Sequence, residues 1–510
     1  MDPFKIPYKE TNKFSDLVVD YVNKSSELES FISYFPSLYN LKKQIEDKAT
    51  HQIDRETLAS VLENQNAIIS LSDLSKENIS SLRHNNVFTV TTGHQLCLFM
   101  GPLYFIYKII SVINLTEQLK DKFPDNRFVP IFWMATEDHD FEEINHINLF
   151  GKKIEWDSKQ SGAVGRMSLS GIDNLLKQLE SVLGKSDNAK RLLHLFRNSY
   201  LRNKNLAAAT RYLVNELFGK YGLVIIDGDD KELKKQFIPI IKKDVLESGF
   251  IDIIQKSSNN LAVSYFKQAF VRDINFFKLF DKNRILITKK EDINEIDAHP
   301  EYFSPNVLLR PLYQESILPN IATVGGGSEV SYWLQLKSAF QQESIPFPII
   351  VLRNSVMFIS EKQKQKIRSF DFDLIDLFKD EYYLQNQFVI KQDPSAISLS
   401  NEKTTIKMLY SGILNKFNKS GLNDNIKAQL KKQLNVLESL ESKLIRFEKR
   451  KYKDSIGQIR KLKQQLFPYN SLQERYDSFI PFYLKDGDDF IERLKQNLDP
   501  LDPNFVVLSY

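Results

Sequence analysis

Phe128 to Ala135 is an unbroken apolar run that stops at Thr136. Glu137, Asp138, His139, Asp140, Glu142, Glu143, Asn145 and His146 follow at once. A short apolar run with polar ends predicts a strand buried on both faces. Comparable runs stand at 86–92, Tyr221–Asp227, Phe347–Arg353 and Phe505–Leu508. Helical spacing fills the intervals: Leu17, Val18, Tyr21 and Val22 in a mostly helical 1–85, Leu103–Lys120 opened by Pro102, and Lys231–Glu247. Strands alternating with helices predict an α/β fold with a parallel sheet. Residues 150–220, a β-like piece near Lys153–Trp156 and then helices, interrupt the rhythm as an insertion. A second insertion is expected over 228–300, with β-like runs such as Arg284–Thr288.

Val307–Pro311 reads as the end of a further strand. Past Pro319, the run Ile321–Val324 leads into Gly325, Gly326 and Gly327. Ser328 is the natural N-cap of the next helix, and Glu329, Trp333 and Lys337 would share one of its faces. Beyond about residue 361 glycine almost vanishes. Ile406, Leu409, Ile413 and Phe417 form one apolar stripe; Leu430, Leu434, Leu437, Leu440, Leu444 and Phe447 form another. With a turn at Lys419–Asn423, this predicts an antiparallel coiled-coil arm. The predicted organisation is a core over 1–385, the arm over 386–467, and a segment, 468–510, that returns to the core as a strand.

Composition narrows the class. A chain of 510 residues exceeds one ordinary domain. Its 69 basic and 65 acidic side chains nearly balance, which gives no argument for nucleic acid or membrane. No apolar stretch approaches the roughly 20 residues that span a bilayer. The first residues lack a signal-peptide pattern, and Cys97 alone excludes an intramolecular disulfide framework. A cytoplasmic protein is expected.

Three stretches carry candidate chemistry. In open α/β sheets ligands bind beyond the carboxyl ends of the strands, which is where Asp138, His139 and Asp140 would lie. Gly93 and Gly101 flank a strand-to-helix turn whose free N–H groups suit an anion. The Gly325–Gly327 run lets a backbone approach a ligand closely. A rival reading takes His139, Glu142 or Glu143, and His146 as metal ligands on one helical face. Another takes the basic residues between Arg446 and Lys463 as a nucleic-acid or partner surface on a non-catalytic scaffold.

The stretches 93–108 (GHQLCLFMGPLYFIYK), 129–146 (VPIFWMATEDHDFEEINH) and 308–337, with the tail from LFPYNSLQERYDSF to LDPLDPNFVVL, resemble the bacillithiol biosynthesis cysteine-adding enzymes, the BshC family. The likeness runs through nearly the whole chain in one order. It departs from the family pattern at His94, usually glutamine, and at Cys97, usually small. The resemblance implies a Rossmann-like core with two connecting insertions and a C-terminal coiled coil. It implies a ligase that adds L-cysteine to the amine of glucosaminyl malate, with the carboxyl activated by ATP and magnesium as acyl-adenylate or acyl phosphate, and with no tightly bound metal. On that reading Gly93, His94, Gln95, Tyr104, Lys108, Glu137, Asn145, Gly325, Gly326, Gly327, Ser328, Glu329 and Trp333 line the substrate or nucleotide side. Arg310 or Lys337 holds a carboxylate. Asp138, His139 and Asp140 orient the amine or act as base, His139 being the best base on chemistry alone. Small-molecule substrates, no nucleic acid, no membrane and a homodimer are the expected partner set.

Overall fold

The structure, a computed structural model, describes residues 3–280, 283–392, 398–417 and 421–510. Five strands form the central sheet: β1 (Val87–His94), β2 (Arg127–Met134), β3 (Val224–Asp227), β4 (Asn320–Gly325) and β5 (Ile349–Leu352). Their order is β5-β4-β1-β2-β3, and every neighbouring pair is parallel. The chain winds outward from β1 through β2 to β3, then crosses back to place β4 on the other side of β1. The sheet therefore has its switch point between β1 and β4. In doubly wound sheets that is where a crevice opens beyond the strand ends. Both strands are buried almost throughout.

Three helices frame the crevice. α1 (Tyr104–Lys122) follows β1, α2 (Arg310–Ile317) precedes β4, and α3 (Gly327–Trp333) follows it. The seam beneath is polar but satisfied. Thr89 and Thr91 hydroxyls donate to Asn320 Oδ1 at 3.2 and 2.8 Å, and Asn320 Nδ2 donates to Glu315 at 2.6 Å. Lys48 Nζ, from the helix Leu38–Ala49, lies 3.3 Å from the same carboxylate. Burial pushes the Lys48 ammonium down and the Glu315 carboxyl up, and their mutual attraction opposes both shifts.

The first insertion holds the hairpin His146–Leu149/Lys152–Glu155 and three helices between Ile172 and Phe218. The second ends in a small antiparallel sheet, Phe276–Phe280, Asn283–Leu286 and Phe303–Pro305. A separate sheet lies behind the core. In it Asn504–Ser509 pairs antiparallel with Phe4–Pro7 and parallel with Val356–Ile359. Among the described residues, the far side of Val356–Ile359 meets no strand. There Glu474 Oε2 accepts from Val356 N at 2.9 Å and Gln473 Oε1 from Phe358 N at 2.8 Å, so two side chains stand in for a neighbouring strand. The arm comprises α4 (Ser400–Lys416) and α5 (Asn423–Glu448), followed by α6 (Lys453–Leu466). Of the turn expected between α4 and α5, Lys419 and Ser420 lie outside the described residues.

Four local expectations fail. Val307–Pro311 does not end a strand: Asn306 Oδ1 accepts from Leu308 and Leu309 N at 2.9 and 3.1 Å, turning the chain, and Pro311 sits in the first turn of α2. Lys231–Glu247 is two helices, because Pro239 opens a new one after Phe237. Ser328 is not the N-cap. Gly326 is, and its N–H donates to Glu329 Oε2 at 2.8 Å. Finally α3 stops at Trp333 and a separate helix begins at Lys337, so Glu329, Trp333 and Lys337 share no continuous face.

A polar crevice at the sheet switch point

A cavity of about 880 Å³ opens over the carboxyl ends of β1, β2 and β4. Of the residues singled out from sequence, it is lined by Gly93, His94, Gln95, Tyr104, Lys108, Glu137, Asp138, His139, Asp140, Arg310, Gly326, Gly327, Ser328 and Glu329. Turns far apart in sequence thus meet at one rim. Asn145, Gly325, Trp333 and Lys337 do not line it. Asn145 is buried and donates to Glu155 at 3.2 Å. Gly325 packs under Glu329, whose Cβ would lie 2.8 Å from an added methyl. Trp333 is wholly buried in the core, and Lys337 Nζ donates to the Ile32 carbonyl at 2.6 Å. The helix break after Trp333 is what turns Lys337 away.

One end of the crevice is acidic. Beyond β2, Gln95 Nε2 donates to Asp138 Oδ2 at 2.7 Å and to Glu143 Oε2 at 2.8 Å, tying the β1 loop to the acidic turn. Asp138 Oδ1 accepts from His139 N at 2.7 Å. Glu137 pairs with the buried Lys234. Thr136 donates to Asp227 at the end of β3, and burial raises that carboxyl to about 6. Asp138, His139 and Asp140 place ligand atoms within 4.8 Å of one another. Among the described residues, His139, Glu143 and His146 form no such group. His146 turns instead to Asn145, 3.0 Å away, because its own residue starts a strand.

The other end is cationic. Lys108, reaching from α1, pairs with Glu329 and donates to the Gly93 carbonyl at 2.9 Å, bridging β1 and α3. Burial pushes its ammonium down and Glu329 pushes it back up. Arg310 stacks over Trp133 at 5.7 Å, with Nη1 3.0 Å from Gln314. Arg353 lies over Tyr104 at 5.0 Å and is held by Glu474 at 2.7 Å. Its Nε is buried with no hydrogen-bond partner among the described residues, and a methyl on Gly326 would sit 3.7 Å from it. Arg475 completes that wall. His94 is buried against Tyr104 and Phe105, and both burial and Lys108 drive its imidazole far toward neutrality. Cys97 sits beneath it, its thiol pushed up to about 12 by burial.

Arg284, Arg353 and Arg475 were not anticipated from the pattern. Arg353 could have been, since it ends an apolar run as Thr136 and Glu137 end theirs. Arg284 comes from an edge hairpin without a distinctive pattern.

A five-stranded parallel sheet with a two-ended polar crevice at its switch point, carrying a helical arm, defines a Rossmann-like enzyme with an appended coiled coil. Residues 1–354 match the family described as Bacillithiol biosynthesis BshC, N-terminal Rossmann-like domain, and residues 356–510 its C-terminal coiled-coil domain. The chain belongs to the BshC family and is a ligase of bacillithiol biosynthesis. Relatives named putative cysteine ligase BshC include one from Flavobacterium johnsoniae, 43% identical over 474 residues and 89% of each chain. One from Christiangramia forsetii is 42% identical over 99% of this chain and 98% of its own. One from Cytophaga hutchinsonii is 35% identical over 89% of each. No helix among the described residues is long and apolar enough to cross a membrane.

Proposed function

We propose that this chain joins L-cysteine to the amine of glucosaminyl malate in the cytoplasm, forming an amide between the cysteine carboxyl and the sugar nitrogen. The observation that carries this reading is the charge separation in one crevice. Asp138 and Asp140 line the same cavity as Arg310, Arg353, Arg475 and Lys108. A substrate with an amine at one end and carboxylates at the other is matched in both parts. Arg310 has no carboxylate partner among the described residues and would hold a malate carboxylate through its remaining N–H groups. Asp138 and Asp140 then draw the ammonium to the acidic turn and orient it toward the cysteine carboxyl.

A carboxylate is a poor electrophile, and ATP with magnesium would supply its activation. Arg353, whose Nε has no hydrogen-bond partner among the described residues, and Arg475 offer guanidinium donors suited to phosphate oxygens. This chain's residues would bind and orient there, and Tyr104 and Trp133 would restrict water around the two guanidinium groups. The arm takes the role of a dimerisation element, since α4 buries none of its residues. The test is the thiol profile of a deletion strain. Loss of bacillithiol with build-up of glucosaminyl malate is expected, reversed by the wild-type chain and not by Asp138→Asn. Normal bacillithiol in the deletion strain would refute the assignment.

A further inference from the structure

Arg284 is fixed on every side. Its guanidinium carbon lies 4.0 Å from the Phe277 ring centroid. Nε donates to Ser304 Oγ at 3.2 Å, and Nη2 donates to the Pro305 carbonyl at 3.1 Å. The remaining nitrogen, Nη1, stands 2.9 Å from His139 Nδ1. A guanidinium has donors and no acceptor. The bond therefore requires a bare lone pair on Nδ1, and the ring proton must sit on Nε2. Among the described residues, neither nearby carboxylate hydrogen-bonds the ring, so the contact with Arg284 decides the tautomer. Asp138 Oδ1 is 3.6 Å from Nδ1, beyond a hydrogen bond, and already accepts from the His139 backbone N–H. Asp140 Oδ1 lies 4.0 Å from Nε2, likewise beyond a hydrogen bond. Phe277, with its ring 5.7 Å from the imidazole, closes the remaining side.

We infer that Arg284 is a positioning residue that locks His139 as an Nε2–H hydrogen-bond donor toward the crevice, so that His139 does not take a proton from the attacking amine. A base must offer a lone pair. The one lone pair of this ring is already taken up by a clamped cation. His139 instead presents a fixed donor beside Asp140, suited to a carbonyl or hydroxyl oxygen of a bound ligand. This role rests on the proposed function only for the identity of that ligand; the tautomer stands apart from it.

Nitrogen-15 spectra of the histidine-labelled protein, with His139→Gln to assign the resonance, read the tautomer with no substrate present. The wild type is expected to show a bare Nδ1 and a protonated Nε2. Arg284→Lys, which still donates, is expected to keep that pattern, and Arg284→Gln to mix the tautomers. An Nδ1–H signal in the wild type, or an unchanged spectrum in Arg284→Gln, would overturn the inference. In turnover, His139→Gln keeps a donor amide and is expected to lose less than about tenfold. A loss of about 100-fold or more, the usual contribution of a general base, with no rescue by glutamine over alanine, would also overturn it. A chain without ligase activity would fail the thiol-profile test and leave the spectra unchanged, so the two ideas fail separately.

Discussion

Asp477 sits two residues beyond the crevice-lining Arg475, and its backbone carbonyl accepts from Leu103 N at 2.9 Å near the start of α1. Burial alone raises its carboxyl to about 7. Between about pH 4 and 7 the folded chain keeps a proton that the unfolded chain releases. This group's contribution is intact at low pH and is lost as pH rises through that window. Asp477→Asn removes the titration and keeps the backbone contact. It is expected to stabilise the protein at pH 8 by at most about 4 kcal/mol, and by clearly less at pH 5. Denaturant unfolding at the two values checks this, and an equal gain at both would show that the carboxyl does not titrate as described. Individual residues were legible in sequence where a strand ended: the switch from apolar to acidic at Thr136 located one wall of the crevice. Arg310 was placed in the right region on the wrong element, because a strand end and a proline-opened helix both follow leucines with Arg-Pro. Gln473 and Glu474 could be recognised as part of a motif, but nothing local says that they replace a strand.

At the scale of elements, the N-terminal helix Leu38–Ala49 reaches the sheet through one buried cation. Lys48 and Glu315 are both fully buried, and Lys48 Nζ also donates to the Glu315 carbonyl at 2.9 Å. Such a pair adds little net stability, yet removing one member strands the other. Lys48→Met is expected to cost about 3–5 kcal/mol, with part recovered in the double variant with Glu315→Gln. Thermal and denaturant unfolding measure both, and a loss no larger than that of a surface substitution would contradict it. Periodicity found the central strands because each is buried on both faces, within a residue or two except at the start of β3, expected at Tyr221 and observed at Val224. It failed at the α3 boundary, where Leu334–Leu336 continues the apolar pattern without proline or glycine while the backbone leaves the helix.

For the whole molecule, the arm is the part whose sequence pattern outruns its own packing. Met408, Leu409, Val436, Leu440 and Phe447 are exposed, at 70%, 61%, 58%, 45% and 58%. Apolar area of this kind on a helical hairpin marks an interaction surface. Sedimentation is expected to give a dimer, and Leu409→Glu with Val436→Glu a monomer of unchanged helical content. A monomeric wild type would sink that role. The basic residues near the arm's base are engaged elsewhere: Arg460 pairs with Glu381 at 2.9 Å, and Lys463 caps Leu377. Charge counting along the sequence has no access to those partners.

Arg353 follows β5 directly, and its guanidinium is anchored by Glu474, a residue of the other matched family domain. Glu474 also orders Val356 on the far side of the domain boundary. The catalytic half therefore borrows the stiffness of its cationic wall from the half that carries the arm. Separated at residue 355, the first fragment would keep the five-stranded sheet but lose the strand that pairs with Phe4–Pro7 and the carboxylate that anchors that guanidinium. Inheritance, exchange or engineering of this enzyme should accordingly treat the two parts as a single indivisible piece.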